Sequence, residues 1–275
     1  MPELMASDGS VVIEIGNTAI AFDAANAAFL RLLIDRYARF VTPYRRVHSQ
    51  FNVEIVEPRA DVGPDEDLQV KAKGDHIWTF GRGDFQAEWN PETGRGFIRQ
   101  PLNPYSADAV LRVVHSLILA RQGGFLLHSA SAILDGNAFL FSGVSGAGKT
   151  TISRLAPPDS TILTDEISYI RPEAAGYRAF GTPFAGELSK PGENVSAPLS
   201  ALYFLEKGLR NRIEDVQPDE ALRRLLRDIL FFAEDSALVD LVFQAACHFV
   251  ERVPVRRLTF APDERVWETI RAAGD

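Results

Sequence analysis

The fold of this chain is decided by Gly143-Val144-Ser145-Gly146-Ala147-Gly148-Lys149-Thr150, which matches the phosphate-binding pattern G-x-x-x-x-G-K-[ST] at every fixed position. Glycines let the backbone turn tightly, so that successive N–H groups point at phosphate oxygens. The pattern assigns Lys149 to the β- and γ-phosphates of a nucleotide and the Thr150 hydroxyl to a magnesium ion. The nucleotide-binding residues that it predicts are Gly143, Ser145, Gly146, Ala147, Gly148, Lys149, Thr150 and Thr151.

The residues around this loop predict the order strand, loop, helix that phosphate binding requires. Ala138–Ser142 is a short apolar run typical of a strand, and Thr151–Leu155 continues a helix that starts near Gly148. Asp135-Gly136-Asn137 predicts a hairpin turn from a preceding strand, Phe125–Leu134. Because that strand is an antiparallel neighbour, we expect a mixed sheet. The alternative is a glycine-rich turn with a fortuitous Lys-Thr pair.

An acidic pair follows the next predicted strand. Thr161–Thr164 reads as a short buried strand that ends in Asp165-Glu166. Magnesium prefers oxygen ligands, and a carboxylate can also accept the proton of an attacking hydroxyl group. We therefore predict Thr150, Asp165 and Glu166 as metal-binding residues. The alternative is that the two acids simply begin a turn facing solvent.

Taken together, these motifs resemble the HPr serine kinase/phosphorylase family, which shares its catalytic core with ATP-dependent phosphoenolpyruvate carboxykinase. The resemblance covers roughly residues 120–185, and its specific feature is His128 on the strand before the hairpin, followed by the loop and the acidic pair. It implies that Asp165 is the catalytic base, that His128 pairs with it and that Lys149 acts on the phosphates. Glu166 stands where the family has an aspartate that helps to hold magnesium. Without the resemblance, His128 reads as a hydrogen-bonded core histidine.

The function implied by the resemblance is that of a kinase that uses ATP and Mg²⁺ to phosphorylate a serine-like hydroxyl group of a peptide, protein or small molecule. Related short members include kinases that phosphorylate a terminal serine of lasso precursor peptides, and such a role here is an extrapolation from the resemblance. The N-terminal part does not resemble the family's regulatory domain. Two alternatives remain at this point: a carboxykinase-like enzyme that acts on a keto acid, and a nucleotide-sensing module that binds ATP without chemistry.

Composition narrows the classes of partner. The 275 residues are 46% hydrophobic, which allows a sizeable core, and the formal net charge of −8 argues against binding to nucleic acid or to an anionic membrane. The single cysteine, Cys247, lies in an apolar helical stretch and suits a reducing compartment. The first residues lack a signal peptide pattern. We expect a cytoplasmic protein, and homo-oligomerisation stays open.

The predicted fold class is α/β with two domains. Residues 1–104 predict a mostly antiparallel β-rich domain with one helix, Asp23–Phe40. Trp78 and Trp89 are expected to pack between this sheet and the helix, with ligand stacking as the alternative. Residues 105–275 predict a phosphate-binding catalytic domain, whose mixed sheet is, by resemblance, of the HPr kinase and phosphoenolpyruvate carboxykinase type. Its first helix is expected to start at a Ser106 cap.

The remaining predictions concern loops and the C-terminal part. Residues 57–67 form an acidic, proline-broken surface loop. Residues 182–198 lack periodicity and predict either a functional flap, with Glu187 and Lys190 as polar contacts, or partial disorder. A helix is expected to run from Pro218 to Phe232. Arg256 or Arg257 is predicted to bind substrate or leaving phosphate, with solvent-facing side chains as the alternative.

Overall fold

A computed structural model describes residues 9–43, 46–58, 67–74, 77–188 and 190–273. In these residues it has two mixed sheets and six helices, which confirms the α/β class. The chain divides into two compact units, one formed by Met1–His115 with Phe232–Ser236 and the other by Ser116–Phe231 with Ala237–Asp275. The predicted domain boundary after residue 104 precedes a helix, Tyr105–Arg121, whereas the compact units divide inside that helix.

The first unit contains a seven-stranded sheet in its described residues, with the spatial order β1-β2-β3-β7-β6-β5-β4. The pairs β2–β3 and β3–β7 are parallel and the other neighbours are antiparallel. Most of the predicted acidic loop, residues 59–66, lies outside the described part of the chain. The strands are β1 (Ser10–Ile15), β2 (Thr18–Ala24), β3 (Ser49–Ile55), β4 (Gln69–Lys73), β5 (Ile77–Arg82), β6 (Phe85–Asn90) and β7 (Arg95–Gln100).

The helix predicted from Asp23 starts later than expected. Helix α1 covers Ala27–Arg36 and is capped by Asn26, whose Oδ1 accepts a hydrogen bond from the N–H of Phe29 at 3.0 Å. The prediction is wrong at this end because Asp23 still belongs to β2, where it pairs with Ser10 of β1. Backbone pairing across the sheet therefore sets where this helix begins.

The next helix, α2 (Tyr105–Arg121), is capped by a residue that the sequence did not single out. Asn103 Oδ1 accepts hydrogen bonds from the N–H groups of Tyr105 and Ser106, at 2.9 and 3.2 Å. The prediction of Ser106 as the cap is therefore wrong. At the other end, Gly123 has a φ of 72° and the N–H of Gly124 donates to the carbonyl of Leu119, an arrangement typical of a helix C-terminus.

A buried histidine on α2 makes folding sensitive to acid. His115 is fully buried, and burial together with the neighbouring His48 lowers its pKa to about 3. Below its ordinary pKa of about 6.5 the unfolded chain binds a proton that the folded chain refuses, so stability falls as the pH decreases toward 3.

We expect this histidine to cost about 2 kcal/mol of unfolding free energy between pH 6.5 and pH 5, at about 1.4 kcal/mol per pH unit. Denaturant unfolding of wild type and His115→Leu at both pH values measures it, because the variant should lose that part of the pH dependence. His248→Leu, which removes an exposed histidine, is the control. An equal pH dependence in wild type and His115→Leu would contradict the expectation.

The second unit is built on a nine-stranded mixed sheet in its described residues, with helices on both faces. None of the helices in the described ranges combines the length and the apolar character needed to cross a membrane. The strands are β8 (Phe125–Leu134), β9 (Asn137–Ser142), β10 (Thr161–Thr164), β11 (Ile167–Glu173), β12 (Gly176–Phe180), β13 (Ser196–Lys207), β14 (Arg212–Asp215), β15 (Ile229–Leu230) and β16 (Val255–Phe260). The helices are α3 (Lys149–Arg154), α4 (Pro218–Asp228), α5 (Ser236–Arg252) and α6 (Arg265–Ala272).

Strand β9 shows why this sheet is covered on both sides. Ala138 and Leu140 belong to a core that includes residues of α4 and α5, whereas Phe139 and Phe141 belong to a core that includes residues of α3 and α6. A strand buried on both faces reads as a continuous apolar run, which is what the sequence before the glycine-rich loop shows. β9 is antiparallel to β8 and parallel to β13, so the predicted mixed sheet is confirmed.

The long strand β8 changes partners at its middle. Its first half pairs with β11 and β15, and its second half pairs with β9 and β10. One end of each of four strands, β9, β10, β11 and β15, therefore lies near His128 and Ser129. The residues that adjoin these strand ends include polar side chains. The helix predicted through Phe232 ends at Asp228 instead, because Ile229 and Leu230 pair with β8.

Candidate active site

The glycine-rich loop has the backbone that its sequence predicts. Gly146 and Gly148 have φ values of 75° and 115°, a region that favours glycine. A Cβ atom on Gly148 would also lie 2.6 Å from Cζ of Phe260. The N–H of Ile152 donates to the carbonyl of Gly148 at 2.9 Å, so α3 begins directly at the loop. Strand, loop and helix are thus present in the predicted order.

The two last residues of the loop motif have different partners. Lys149 is buried, and its Nζ donates a hydrogen bond to the carbonyl oxygen of Gly143 at 2.9 Å. Thr150 is half-buried, and its Oγ1 donates to Oε2 of Glu187 at 3.0 Å. The other predicted contacts lie around them, with Ser145 and Gly146 exposed, Gly148 and Thr151 half-buried, and Ala147 buried.

The first predicted acid, Asp165, is enclosed by backbone. Its side chain accepts a hydrogen bond on each oxygen, from the N–H of Gly186 to Oδ1 at 2.9 Å and from the N–H of Leu188 to Oδ2 at 2.8 Å. The residue is only 3% exposed. A buried carboxylate needs such donors to offset its desolvation, and two charge-assisted bonds supply them.

The second acid is more accessible and lies beside the predicted histidine. Glu166 keeps 33% of its side-chain surface exposed, and its Oε1 is 3.6 Å from Nδ1 of His128. His128 is 36% exposed on the side chain, so it is not a core histidine. The structure therefore places His128 next to Glu166, whereas the resemblance implied a pairing with Asp165.

A third carboxylate, that of Asp228 at the end of α4, was not predicted from the sequence. It is 8% exposed, and its Oδ2 accepts a hydrogen bond from Oγ of Ser142 at 2.7 Å while Arg227 bonds the other oxygen at 3.0 Å. Ser142 is the last residue before the loop. No local motif marks Asp228, since it reaches the site only because β15 pairs with β8.

Three carboxylates, those of Glu166, Asp228 and Glu187, lie close enough to Lys149 to affect its charge. Burial lowers the pKa of Lys149, and the negative charges of Glu166, Asp228 and Glu187 act in the opposite direction. They favour the charged ammonium form that phosphate recognition requires. The structure thus brings together the predicted residues Lys149, Thr150, Asp165, Glu166 and His128. It adds Glu187, predicted only as a polar contact of a flap, and Asp228, which was not predicted.

The segment between β12 and β13 is fastened to β10 rather than loose. The N–H of Thr182 donates to the carbonyl of Leu163 at 3.1 Å, and the N–H of Glu193 donates to the carbonyl of Ile162 at 3.2 Å. Of its two predicted polar contacts, Glu187 reaches Thr150, and Lys190 is exposed. The acid of this segment therefore belongs to the candidate site.

The predicted substrate arginines have partners of their own. Arg257 forms ion pairs with Glu206 and Glu220 at 3.2 and 3.1 Å, and Arg256 donates to the carbonyl of Ala273 at 3.1 Å. Both arginines lie on β16 and are half-buried. Their described contacts stabilise the packing of β16, and a role in substrate binding stays a prediction.

The described residues do not form an all-protein metal cage, since they contain no group of three or more His, Cys, Asp or Glu side chains suited to an ion. Magnesium that accompanies a nucleotide is held by phosphate oxygens and one or two protein ligands, so such a cage is not required. The Thr150 oxygen and the accessible carboxylate of Glu166 suit that manner of binding.

The C-terminal part of the chain matches a known protein family. Residues 106–273, more than half of the chain, match the family model of ScmC, described as SynChlorMet cassette protein ScmC. The matched range contains the glycine-rich loop, the acidic pair, His128 and Asp228. No curated protein matches the chain.

Proposed function

This chain belongs to the family of SynChlorMet cassette protein ScmC, and we propose that it is a kinase that uses ATP and Mg²⁺ to phosphorylate a hydroxyl group of a peptide or small-molecule acceptor. We also propose that its second unit has the fold of the HPr kinase type. The observation that carries the proposal is the convergence of a complete phosphate-binding loop with accessible Glu166 and His128 at the middle of β8. A cytoplasmic location, which we expected from the single cysteine, suits an enzyme that consumes ATP.

The proposed work of the protein is positioning and charge compensation. The exposed loop tip offers backbone N–H groups to phosphate, and Lys149 supplies a positive charge at the base of the loop. When bound, Mg²⁺ and ATP supply the phosphoryl group and neutralise charge on its oxygens. Thr150 and Glu166 are the residues that would hold the metal ion. Burial of Lys149 makes its charge more effective, because electrostatic interactions strengthen where water is excluded.

A carboxylate near the phosphates is what distinguishes this proposal from nucleotide sensing. A kinase must accept the proton of the acceptor hydroxyl, whereas a sensor needs no proton acceptor. The site has Glu166, which is one-third exposed and lies beside His128, and it also has the buried Asp165. Resemblance gives the proton-accepting role to Asp165.

The direct test supplies ATP labelled in its γ-phosphate together with Mg²⁺ and either free serine or peptides that end in serine. We expect transfer of the label to one acceptor and an equal release of ADP, both dependent on Mg²⁺. ATP binding without transfer to any acceptor would favour a sensor. Release of carbon dioxide from oxaloacetate would favour a carboxykinase, and either result would contradict the kinase proposal.

A further inference from the structure

The buried acid of the pair, Asp165, accepts hydrogen bonds from two backbone N–H groups that lie two residues apart in the sequence. Oδ1 of Asp165 accepts from the N–H of Gly186, and Oδ2 accepts from the N–H of Leu188. The residue between these two donors is Glu187. One carboxylate therefore grips the backbone on both sides of Glu187. The fit is close, because a Cβ atom on Gly186 would lie 2.7 Å from Oε2 of Glu166 and 3.0 Å from Oδ2 of Asp165.

The gripped residue reaches the threonine of the loop. Oε2 of Glu187 accepts the hydroxyl proton of Thr150 at 3.0 Å. A threonine hydroxyl has one proton and two lone pairs, so donating the proton to Glu187 leaves the lone pairs for a cation. Partners of this kind orient the groups that bind metals and raise their basicity. Glu187 is thus placed to orient Thr150.

The two adjacent acids differ in what remains available for chemistry. Asp165 is 3% exposed and both of its oxygens accept backbone hydrogen bonds. Glu166 keeps 33% of its side-chain surface, and its described partner is His128. A proton acceptor has to reach the hydroxyl group of a bound acceptor within hydrogen-bond distance. That requirement is met more directly by Glu166.

We propose that Asp165 is a positioning residue, which holds the backbone of residues 186–188 and so directs Glu187 toward Thr150. Glu166, beside His128, then accepts the proton of the acceptor hydroxyl group. This inference rests on the proposed function. In that step the acceptor O–H bond breaks and its proton passes to Glu166. The acceptor oxygen forms a bond to the γ-phosphorus, and the bond from this phosphorus to the ADP oxygen breaks, with its electron pair remaining on ADP.

The clamp is tested first on the free protein by amide hydrogen exchange. In Asp165→Asn one oxygen is replaced by an NH₂ group that cannot accept a hydrogen bond, so we expect the N–H groups of Gly186 and Leu188 to exchange at least tenfold faster. Glu166→Gln is the matched control, since it also removes one negative charge from the pair, and it should leave this exchange unchanged. Unchanged exchange in Asp165→Asn would overturn the clamp.

The kinetic test separates positioning from proton transfer. Asp165→Asn and Glu187→Gln should each raise the Mg²⁺ concentration for half-maximal turnover about tenfold, and the double variant should be no worse than either single variant, because both act through Thr150. Glu166→Gln should instead lower kcat by at least 100-fold even at saturating Mg²⁺, where Asp165→Asn and Glu187→Gln should recover most of their kcat. Additive effects of Asp165→Asn and Glu187→Gln would overturn the coupling.

A second variant, Leu188→Pro, tests the same contact if Asp165→Asn fails to fold. Leu188→Pro removes one of the two N–H donors and leaves the carboxylate of Asp165 in place. It should reproduce the raised Mg²⁺ requirement, and a loss of kcat confined to Asp165→Asn would show that Asp165 is the base. Absence of phosphoryl transfer in the wild type would contradict the proposed function, while the exchange measurement on the free protein would still decide the clamp.

Discussion

Replacing Lys149 by alanine is expected to lower kcat/KM for Mg²⁺ and ATP by about 10³-fold or more. Lys149 is the positive charge at the base of the glycine-rich loop, and it lies near the carboxylates of Glu166, Asp228 and Glu187. Without its ammonium group these acids would repel the phosphates of the nucleotide. Calorimetry with Mg²⁺ and ATP should show the loss of binding, and ADP release in the same samples should show the loss of turnover.

The control for this substitution is Lys207→Ala, which removes the same charge from an exposed residue at the end of β13. It leaves the net charge of the protein equal to that of Lys149→Ala, so a general electrostatic effect would appear in both variants. We expect binding and turnover close to wild type in Lys207→Ala. Wild-type affinity for ATP in Lys149→Ala would refute the role assigned to the loop.

Replacing Gly192 by alanine is expected to lower stability by about 3 kcal/mol, because the added Cβ atom collides with backbone rather than with a flexible side chain. That atom would lie 1.7 Å from the carbonyl oxygen of Leu163 and 3.0 Å from that of Thr182. The clash should push the segment between β12 and β13 away from β10. It should also weaken the hydrogen bond that the N–H of Gly192 donates to the carbonyl of Thr182. A thermal unfolding curve should shift down by roughly 10 °C.

The matched control is Gly136→Ala in the hairpin turn between β8 and β9. Gly136 has a φ of 79°, and a Cβ atom there would meet no atom within 4 Å, so only the backbone strain of about 1 kcal/mol is expected. Gly192→Ala should also reduce turnover, because β10 leads directly into Asp165. Equal melting temperatures for the two variants would show that the segment between β12 and β13 accommodates the added Cβ atom without loss of stability.

Local features of the second unit were predictable from the sequence alone. The loop Gly143–Thr150 and the turn Asp135-Gly136-Asn137 depend on contiguous residues, and Asp135 and Gly136 have the positive φ values of 51° and 79° that such a hairpin turn needs. The apolar run before the loop correctly predicted a strand, and the structure shows that this strand is buried on both faces. In each case the physical requirement is met within a few residues of chain.

Element ends were less predictable because distant pairing decides them. The predicted helix began at Asp23, but Asp23 pairs with Ser10 in the sheet. The helix predicted to reach Phe232 ends at Asp228, because the next two residues pair with β8. The start of α2 is a local exception, because Asn103, two and three residues before its donors, makes the capping bonds in place of the predicted Ser106. Local propensity gives way wherever a strand partner offers the backbone its hydrogen bonds.

The sequence by itself determined the glycine-rich loop and the acids that follow β10, since both are set by short runs of residues with fixed chemistry. Only the tertiary structure decided what surrounds them. Thr150 meets Glu187 across 37 residues of chain, and Ser142 meets Asp228 across 86. These pairs depend on which strands lie beside β8 and on where β10 anchors the segment before β13. Hydrogen bonds over such separations form only after the sheet is assembled, and no short sequence pattern encodes them.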